Sequence, residues 1–404
     1  MLVKSYARNI GLNYVFTSFS TLNFTHGLWM IYLASRGFSL FELGILEGVY
    51  HVTSLLMEVP TGVVADIWGR RASRIAGRCT AVLAYAIMFF SQSFPLQAFA
   101  FAATALGNNL ESGAGDALVY DSLLILNEEN RYMHVAGRQE LVYQLTSILT
   151  FMLGGYFALH SYALVFGLSM GFAALAALVA LGFKEPVSSD APGHTKDFTP
   201  MFIRMWRSVV DQVVESIVVL RERKKILFFI VFSELQFCFL TVLFFYLQNH
   251  WLLLGFTEFH IGIVFSAHAI VAGVTAWKAH RIEDRIGERG VLTLMPALVV
   301  VCLWGMMAGR WSILFHIATG FSAGLLITSV GTYINRLIPS SSRATILSFQ
   351  SMVFSIFMIM VFPLMGILSD RISISFGFLV MAIMATVVVG VYLMILKPWS
   401  IRGR

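Results

Sequence analysis

Glu47, His51, Ser54 and Glu58 follow one another in steps of four, three and four residues. On a helix this spacing puts all four on one stripe, rising about 16 Å at ~1.5 Å per residue. Glutamate and histidine side chains bind and release protons near neutral pH when burial and neighbours tune them. The stripe is therefore a candidate proton path, with a polar seam between helices as the other reading and Glu58 as a possible support for a gate at the helix end. A second set, Asn109, Ser112, Asp116 and Tyr120, has steps of three, four and four, with Asn108 and Glu111 alongside and Asp121 just beyond. Glu234 stands beside Gln236 and Phe237 in an aromatic stretch. His26, His268 and His316 are solitary histidines that would either line a cavity or hydrogen-bond between helices.

These groups sit in a chain that must bury them. The 404 residues are 58% hydrophobic and only 12% charged, about half the charge of a soluble domain. A composition this apolar along the whole length predicts an all-α protein crossing a membrane many times. Twelve runs of spanning length lie near 10–34, 42–64, 74–94, 97–124, 138–160, 162–183, 227–251, 258–279, 290–308, 312–336, 345–368 and 374–396. The first run is long and carries Asn13, Thr17, Asn23 and His26, so it is expected as a retained span rather than a cleaved signal. The one long polar interval predicts a six-helix bundle over 1–184, a linker over 185–225 and a second six-helix bundle over 226–404. Within the linker, Met201 to Glu222 reads as an amphipathic helix on the membrane surface or as a solvated connector.

Charge sets the orientation. With both termini on one side, only Arg36, Arg310 and Arg371 of the 28 Lys and Arg fall in the opposite loops. The positive-inside rule then places both termini in the cytoplasm of a multi-pass cell-membrane protein. The net charge of +6 is a topology signal, with some contact to lipid headgroups, and no basic domain is left to read nucleic acid. Cys79, Cys238 and Cys302 stand singly in apolar runs, without metal-ligand or disulfide spacing. No metal and no cofactor is expected. Strings of the forms G-x-S-x-G, H-E-x-x-H and Walker A are missing, so an enzyme is not expected and an ion gradient is left as the energy source.

The sharpest local pattern follows the second run: Pro60-Thr-Gly62-Val-Val-Ala-Asp66-Ile-Trp-Gly69-Arg70-Arg71. Gly62 would permit close helix packing, Asp66 puts a carboxylate at the helix end, and Gly69 permits a tight turn beside two arginines. A related string, Asp284-Arg285-Ile-Gly287-Glu-Arg289, follows the eighth run about half a chain later, with His280 where the first copy has a glycine. That separation is expected of a fused duplication of six-helix halves.

On these motifs and the six-plus-six layout, the sequence resembles the major facilitator superfamily along nearly its whole length. The resemblance implies two pseudo-symmetric bundles around a cavity that opens alternately to each side. The cavity would be lined by spans 1, 4, 7 and 10, and the halves latched by Asp66, Gly69, Arg70 and Arg71; a purely topological role for the arginines is the alternative. Asp121 is a candidate gate partner, neutralised by Arg70, Arg71 or Arg138. Glu58-Val-Pro-Thr-Gly62 and Ser112-Gly-Ala-Gly-Asp116 look most like proton-coupled exporters of drugs and other small molecules, although Asn109 stands where those proteins carry an arginine.

With no lysine or arginine expected near mid-membrane, the carboxylates and aromatics suit a lipophilic or cationic substrate, and Glu111, without a cation beside it, is the favoured proton exchanger over Glu47. The expectation is a monomeric proton-coupled exporter, an antiporter, whose partners are a small-molecule substrate, protons and membrane lipids. A proton-coupled importer of a small polar solute, a lipid-headgroup translocator and a non-transporting scaffold are the alternatives.

Overall fold

The computed structural model describes residues 2–186, 224–337 and 343–396. The surface helix expected over 201–222 lies outside the described residues. Thirteen α-helices and no strand are found among the described residues: α1 (Leu2–Thr21), α2 (Trp29–Ser35), α3 (Leu40–Trp68), α4 (Arg70–Phe90), α5 (Phe94–Ile125), α6 (Tyr132–His160), α7 (Tyr162–Ala180), α8 (Lys224–Leu253), α9 (Glu258–Trp277), α10 (Ala279–Gly305), α11 (Ser312–Leu337), α12 (Arg343–Arg371) and α13 (Ile374–Leu396). Taking α1 with α2 gives twelve spans, and ten of the helices are long and apolar enough to cross a membrane. The remaining two spans are the broken α1–α2 pair and α5, which carries Asn108, Asn109, Glu111, Asp116 and Asp121. We call the side of the α3–α4 and α5–α6 connections the linker side, and the opposite side the far side.

Span 1 breaks because Asn23 turns its side chain back on the chain, its Oδ1 accepting from Thr25 N (3.1 Å) and Thr25 Oγ1 (2.6 Å). Such local bonds compete with helical ones. Helix α10 starts earlier than the apolar run, because it joins a short amphipathic piece to the span across Gly287, which has φ 73° and ψ 163°. Gly69, between α3 and α4, has φ 93° and ψ 149°. Both angles lie in a region open essentially to glycine alone. The two motif glycines, each three residues after its aspartate, thus share one unusual backbone conformation, as a duplicated motif requires.

Packing divides the chain into two units that are not the two halves of the sequence. The first holds described residues 2–26, 49–150 and 160–186; the second holds 27–48, 151–159, 224–337 and 343–396. The far ends of spans 1, 2 and 5 therefore pack with spans 7–12.

In the first unit, small residues bring α4 and α5 together. A Cβ on Gly77 would stand 2.7 Å from Gly107 O, and one on Gly107 would stand 2.8 Å from Gly77 O. One turn earlier on α4, Ser73 Oγ donates to Leu110 O at 2.6 Å. In the second unit, Gly320 and Gly324 on α11 lie against His268 O and Ala272 O on α9. Their small-x-x-x-small spacing is the usual route to close helix contact in lipid.

Candidate functional site

The α4–α5 register decides the charges of the first unit. Arg78 follows Gly77, eight residues or about 12 Å into α4 at ~1.5 Å per residue. It forms an ion pair with Glu111, one turn beyond Gly107 on α5. Arg74, one turn before Arg78, is only 2% exposed. Its Nη1 donates to Asn13 Oδ1 (2.8 Å), and Asn13 in turn donates to Gln139 Oε1 (2.7 Å). The guanidinium lies 3.8 Å from the centre of the Phe16 ring and 4.8 Å from that of Phe183. Flat contact with aromatic faces stabilises a desolvated cation. Gly115 on α5 lies beside it, where a Cβ would stand in ordinary contact, 3.7 Å from the guanidinium.

Two sequence expectations are corrected by this arrangement. The interior does hold cations, Arg74 and Arg78, and Glu111 does have one beside it. Both arginines belong to α4, which starts at Arg70; the sequence places the start of that span at 74 because the string Arg70, Arg71, Arg74, Arg78 dilutes its apolar signal. Arg78 supplies from α4 the charge that Asn109 lacks on α5.

Asn109 instead bonds to α3, accepting from Ser54 Oγ (3.0 Å) and donating to Ser54 O (2.7 Å). Its neighbour Asn108 donates to Tyr50 Oη at 3.0 Å. Asn108, Ser112, Asp116 and Tyr120, spaced by four, form an exposed polar stripe on α5. Of the α3 stripe, Glu47 and His51 are buried and Glu58 is half-buried. His26, by contrast, is exposed in the break of span 1.

At the linker side, Arg70 forms an ion pair with Asp121 and donates to Ala117 O at 2.8 Å. Asp121 is thus neutralised by the first of its three candidate partners. Glu185, just after α7, accepts from Arg70 N (2.7 Å) and Arg71 N (2.9 Å) and so caps α4. Sequence reasoning missed this residue, whose two donors lie more than a hundred positions away. Asp66 is exposed, and no ion pair or side-chain hydrogen bond engages it among the described residues. Gly62 is also exposed, with no described residue within 4 Å of where its Cβ would stand, so the close packing expected of it is not found there. In the second copy, His280 Nε2 lies 3.6 Å from Asp284 Oδ2 on the same helix, and Arg285 is exposed.

The second unit holds the most enclosed carboxylate. Glu234 on α8 is 5% exposed, and its Oε1 accepts from Gln350 Nε2 on α12 (2.6 Å) and Ser233 Oγ (3.4 Å). Phe237 and Gln236 line a small apolar cavity with Phe229, Leu292 and Leu326. His268 on α9 and His316 on α11 lie against each other, their ring centres 4.6 Å apart.

At the far side of this unit, Asp370 at the end of α12 caps α3. Its Oδ1 accepts from Leu40 N (3.0 Å) and its Oδ2 from Phe41 N (2.7 Å). Tyr246 Oη adds a bond to Phe362 O at 2.8 Å. Glycines let the two helices touch: a Cβ on Gly44 would stand 2.8 Å from Pro363 Cα, and one on Gly366 would stand 2.7 Å from Phe41 Cα. Asp370 carries no sequence signal, because its partners are some 330 residues away.

A family model described as Major Facilitator Superfamily matches residues 10–312 and 251–401. The chain belongs to the major facilitator superfamily. The superfamily relative YxaM of Bacillus subtilis (strain 168), an uncharacterized MFS-type transporter, is 22% identical over 397 residues, covering 95% of this chain and 96% of that protein. Three solved structures share the fold. The nucleoside transporter NupG has a TM-score of 0.74 at 12% identity, covering 99% of this chain and 100% of that one. An auto-inhibited POT family peptide transporter has a TM-score of 0.75 at 13% identity, covering 97% of each chain. A D-xylose-proton symporter has a TM-score of 0.70 at 11% identity, covering 96% of each. The chain is accordingly a membrane-spanning superfamily transporter, and its interior charges are to be read as parts of a transport machine.

Proposed function

We propose that this transporter couples a proton to the movement of a small polar solute, with Glu234 as the group that exchanges the proton. The observation that carries the reading is the setting of Glu234: buried, and among the described residues bonded only to the neutral Gln350 and Ser233. Glu111 is held by Arg78 and has its counter-charge already. A carboxylate without one is balanced by a bound proton or by the cationic part of a solute, and exchange between the two would couple their movements.

The exposed stripe of Asn108, Ser112 and Asp116 on α5, with Tyr50 bonded to Asn108, offers donors and acceptors to a hydroxylated or amine-bearing solute. The D-xylose-proton symporter that shares the fold lends the proton its support. Export of a lipophilic cation, expected from an interior without basic residues, loses that support to Arg74 and Arg78. The distribution of basic residues favours a cytoplasmic linker side.

The test is flux in proteoliposomes under an imposed pH step, with a pentose, a nucleoside, a dipeptide and a lipophilic cation dye offered in parallel. Accumulation of one polar solute that follows the pH step, lost in Glu234→Gln while downhill exchange persists, is the expected result. Accumulation that follows sodium, or a Glu234→Gln protein that still concentrates solute, would overturn it. Movement of the dye alone would return the exporter reading.

A further inference from the structure

Two histidines of the second unit, the buried His316 and the half-buried His268, take no part in the coupling assigned to Glu234. His316 is 2% exposed, and neither of its ring nitrogens has a hydrogen-bond partner among the described residues. A neutral imidazole carries one donor and one acceptor, so His316 leaves both unmet in a tightly packed interior. Buried polar groups are nearly always bonded, and an orphan calls for an explanation.

The surroundings are aromatic. Trp251 on α8 meets the His316 ring edge-on at 5.4 Å and Phe265 on α9 meets it at 5.5 Å. Trp251 is fixed in turn by its Nε1, which donates to Ser312 Oγ at 2.8 Å. On the remaining face lies His268, its ring nearly parallel to that of His316 at an angle of 18°. His268 Nδ1 lies 3.0 Å from His316 O and 3.3 Å from Thr319 Oγ1. Gly320 is what allows this approach, since a Cβ there would stand 2.6 Å from His268 O.

Among the described residues no carboxylate, lysine or arginine bonds to either ring. From α9 the titratable group facing His316 is His268. On α8 the titratable neighbour of Trp251 in sequence is His250, which packs against Phe378 at 5.2 Å. A charged imidazole in this box would meet a second imidazole at stacking distance and no counter-charge. Trp251 and Phe265 pack against the His316 ring, so a movement of this wall would open its nitrogens to water or a hydrogen-bonding partner.

We propose that His268 and His316 form a second proton-binding site, separate from Glu234, that loads when the Trp251–Phe265 wall opens and empties when it closes. Protonation and wall movement are then one event, which makes the pair a sensor of which side of the cycle the second unit is in. The proposal rests on the reading of the chain as a proton-coupled transporter, but its test does not need transport.

The experiment is tryptophan emission of the full-length protein in lipid nanodiscs, titrated across the histidine range. A protonated imidazole beside an indole quenches it, and wild type minus Trp251→Phe isolates the Trp251 signal. The expected result is a quenching step carried by Trp251, abolished in His316→Gln and shifted at least threefold in proton affinity in His268→Asn. The same step should persist in Glu234→Gln, even if that variant shows the coupling reading to be wrong. A Trp251 signal that is flat with pH would overturn the proposal. So would a step of unchanged midpoint in His268→Asn, a variant that still decides the matter should His316→Gln fail to fold.

Discussion

The guanidinium of Arg78 meets the carboxylate of Glu111 across the glycine contact of α4 and α5, so the acidic group nearest the middle of α5 arrives already neutralised. Removing one member of a fully buried pair strands the other and costs about 3–5 kcal/mol, an upper bound here because Glu111 is half-buried, whereas an apolar pair of similar volume is often neutral. Glu111→Gln and Arg78→Met are each expected to destabilise the protein by up to that order, and Arg78→Met with Glu111→Leu to recover most of the loss. Thermal unfolding of the three variants in detergent checks it. Strictly additive losses would mean that the two side chains do not depend on each other.

Gly69 and Gly287 share a backbone conformation but differ in their surroundings. A Cβ on Gly69 would stand 2.9 Å from the Glu185 carboxyl carbon, whereas none of the described residues lies within 4 Å of one on Gly287. Gly287→Ala should therefore cost the backbone strain alone, of order 1–3 kcal/mol, and Gly69→Ala the strain plus a displaced helix cap. The measurement is the difference in melting temperature between the two alanine variants; equal values would mean that Glu185 yields freely.

Asp370 should hold the far ends of α12 and α3 together. A carboxylate at a helix start contributes about 0.3–1 kcal/mol, and up to ~2 kcal/mol when partly buried. Asp370→Ala is expected to shift the balance towards a parted far side by about two- to thirty-fold on that basis. A cysteine replacing the buried Phe362 should then react faster with an impermeant maleimide in the Asp370→Ala background. Equal labelling rates in both backgrounds would reduce Asp370 to a local cap.

The twelve spans were legible because an apolar run of spanning length is a local property, and so was the repeated motif, because the need for glycine at positions 69 and 287 is written in the backbone of each turn. Glu234 also stood out, as an acid in an otherwise apolar run. What was not legible depends on pairing across helices. Arg74 and Arg78 stand at the start of the third apolar run with no partner within local spacing, until α5 is seen to bring Glu111 to Arg78. The stack of His268 on His316 joins side chains 48 residues apart. Local spacing has no access to either, since each depends on which small residues let two helices touch.

The cap that Glu185 places on α4 has a companion one residue earlier: Lys184 N donates to Asn9 Oδ1 (2.9 Å), and Asn9 Nδ2 donates back to Lys184 O (2.8 Å). The strand of chain leaving the sixth span is therefore moored to the first and third spans before the connection to the seventh begins. For anyone dividing the gene into two separately expressed pieces, the cut belongs after Pro186. A first piece ending there keeps both bonds between Lys184 and Asn9 and the Glu185 cap, while one ending at Phe183 would lose all of them and leave the start of α4 to water, and should be the more readily cleared by cellular proteases.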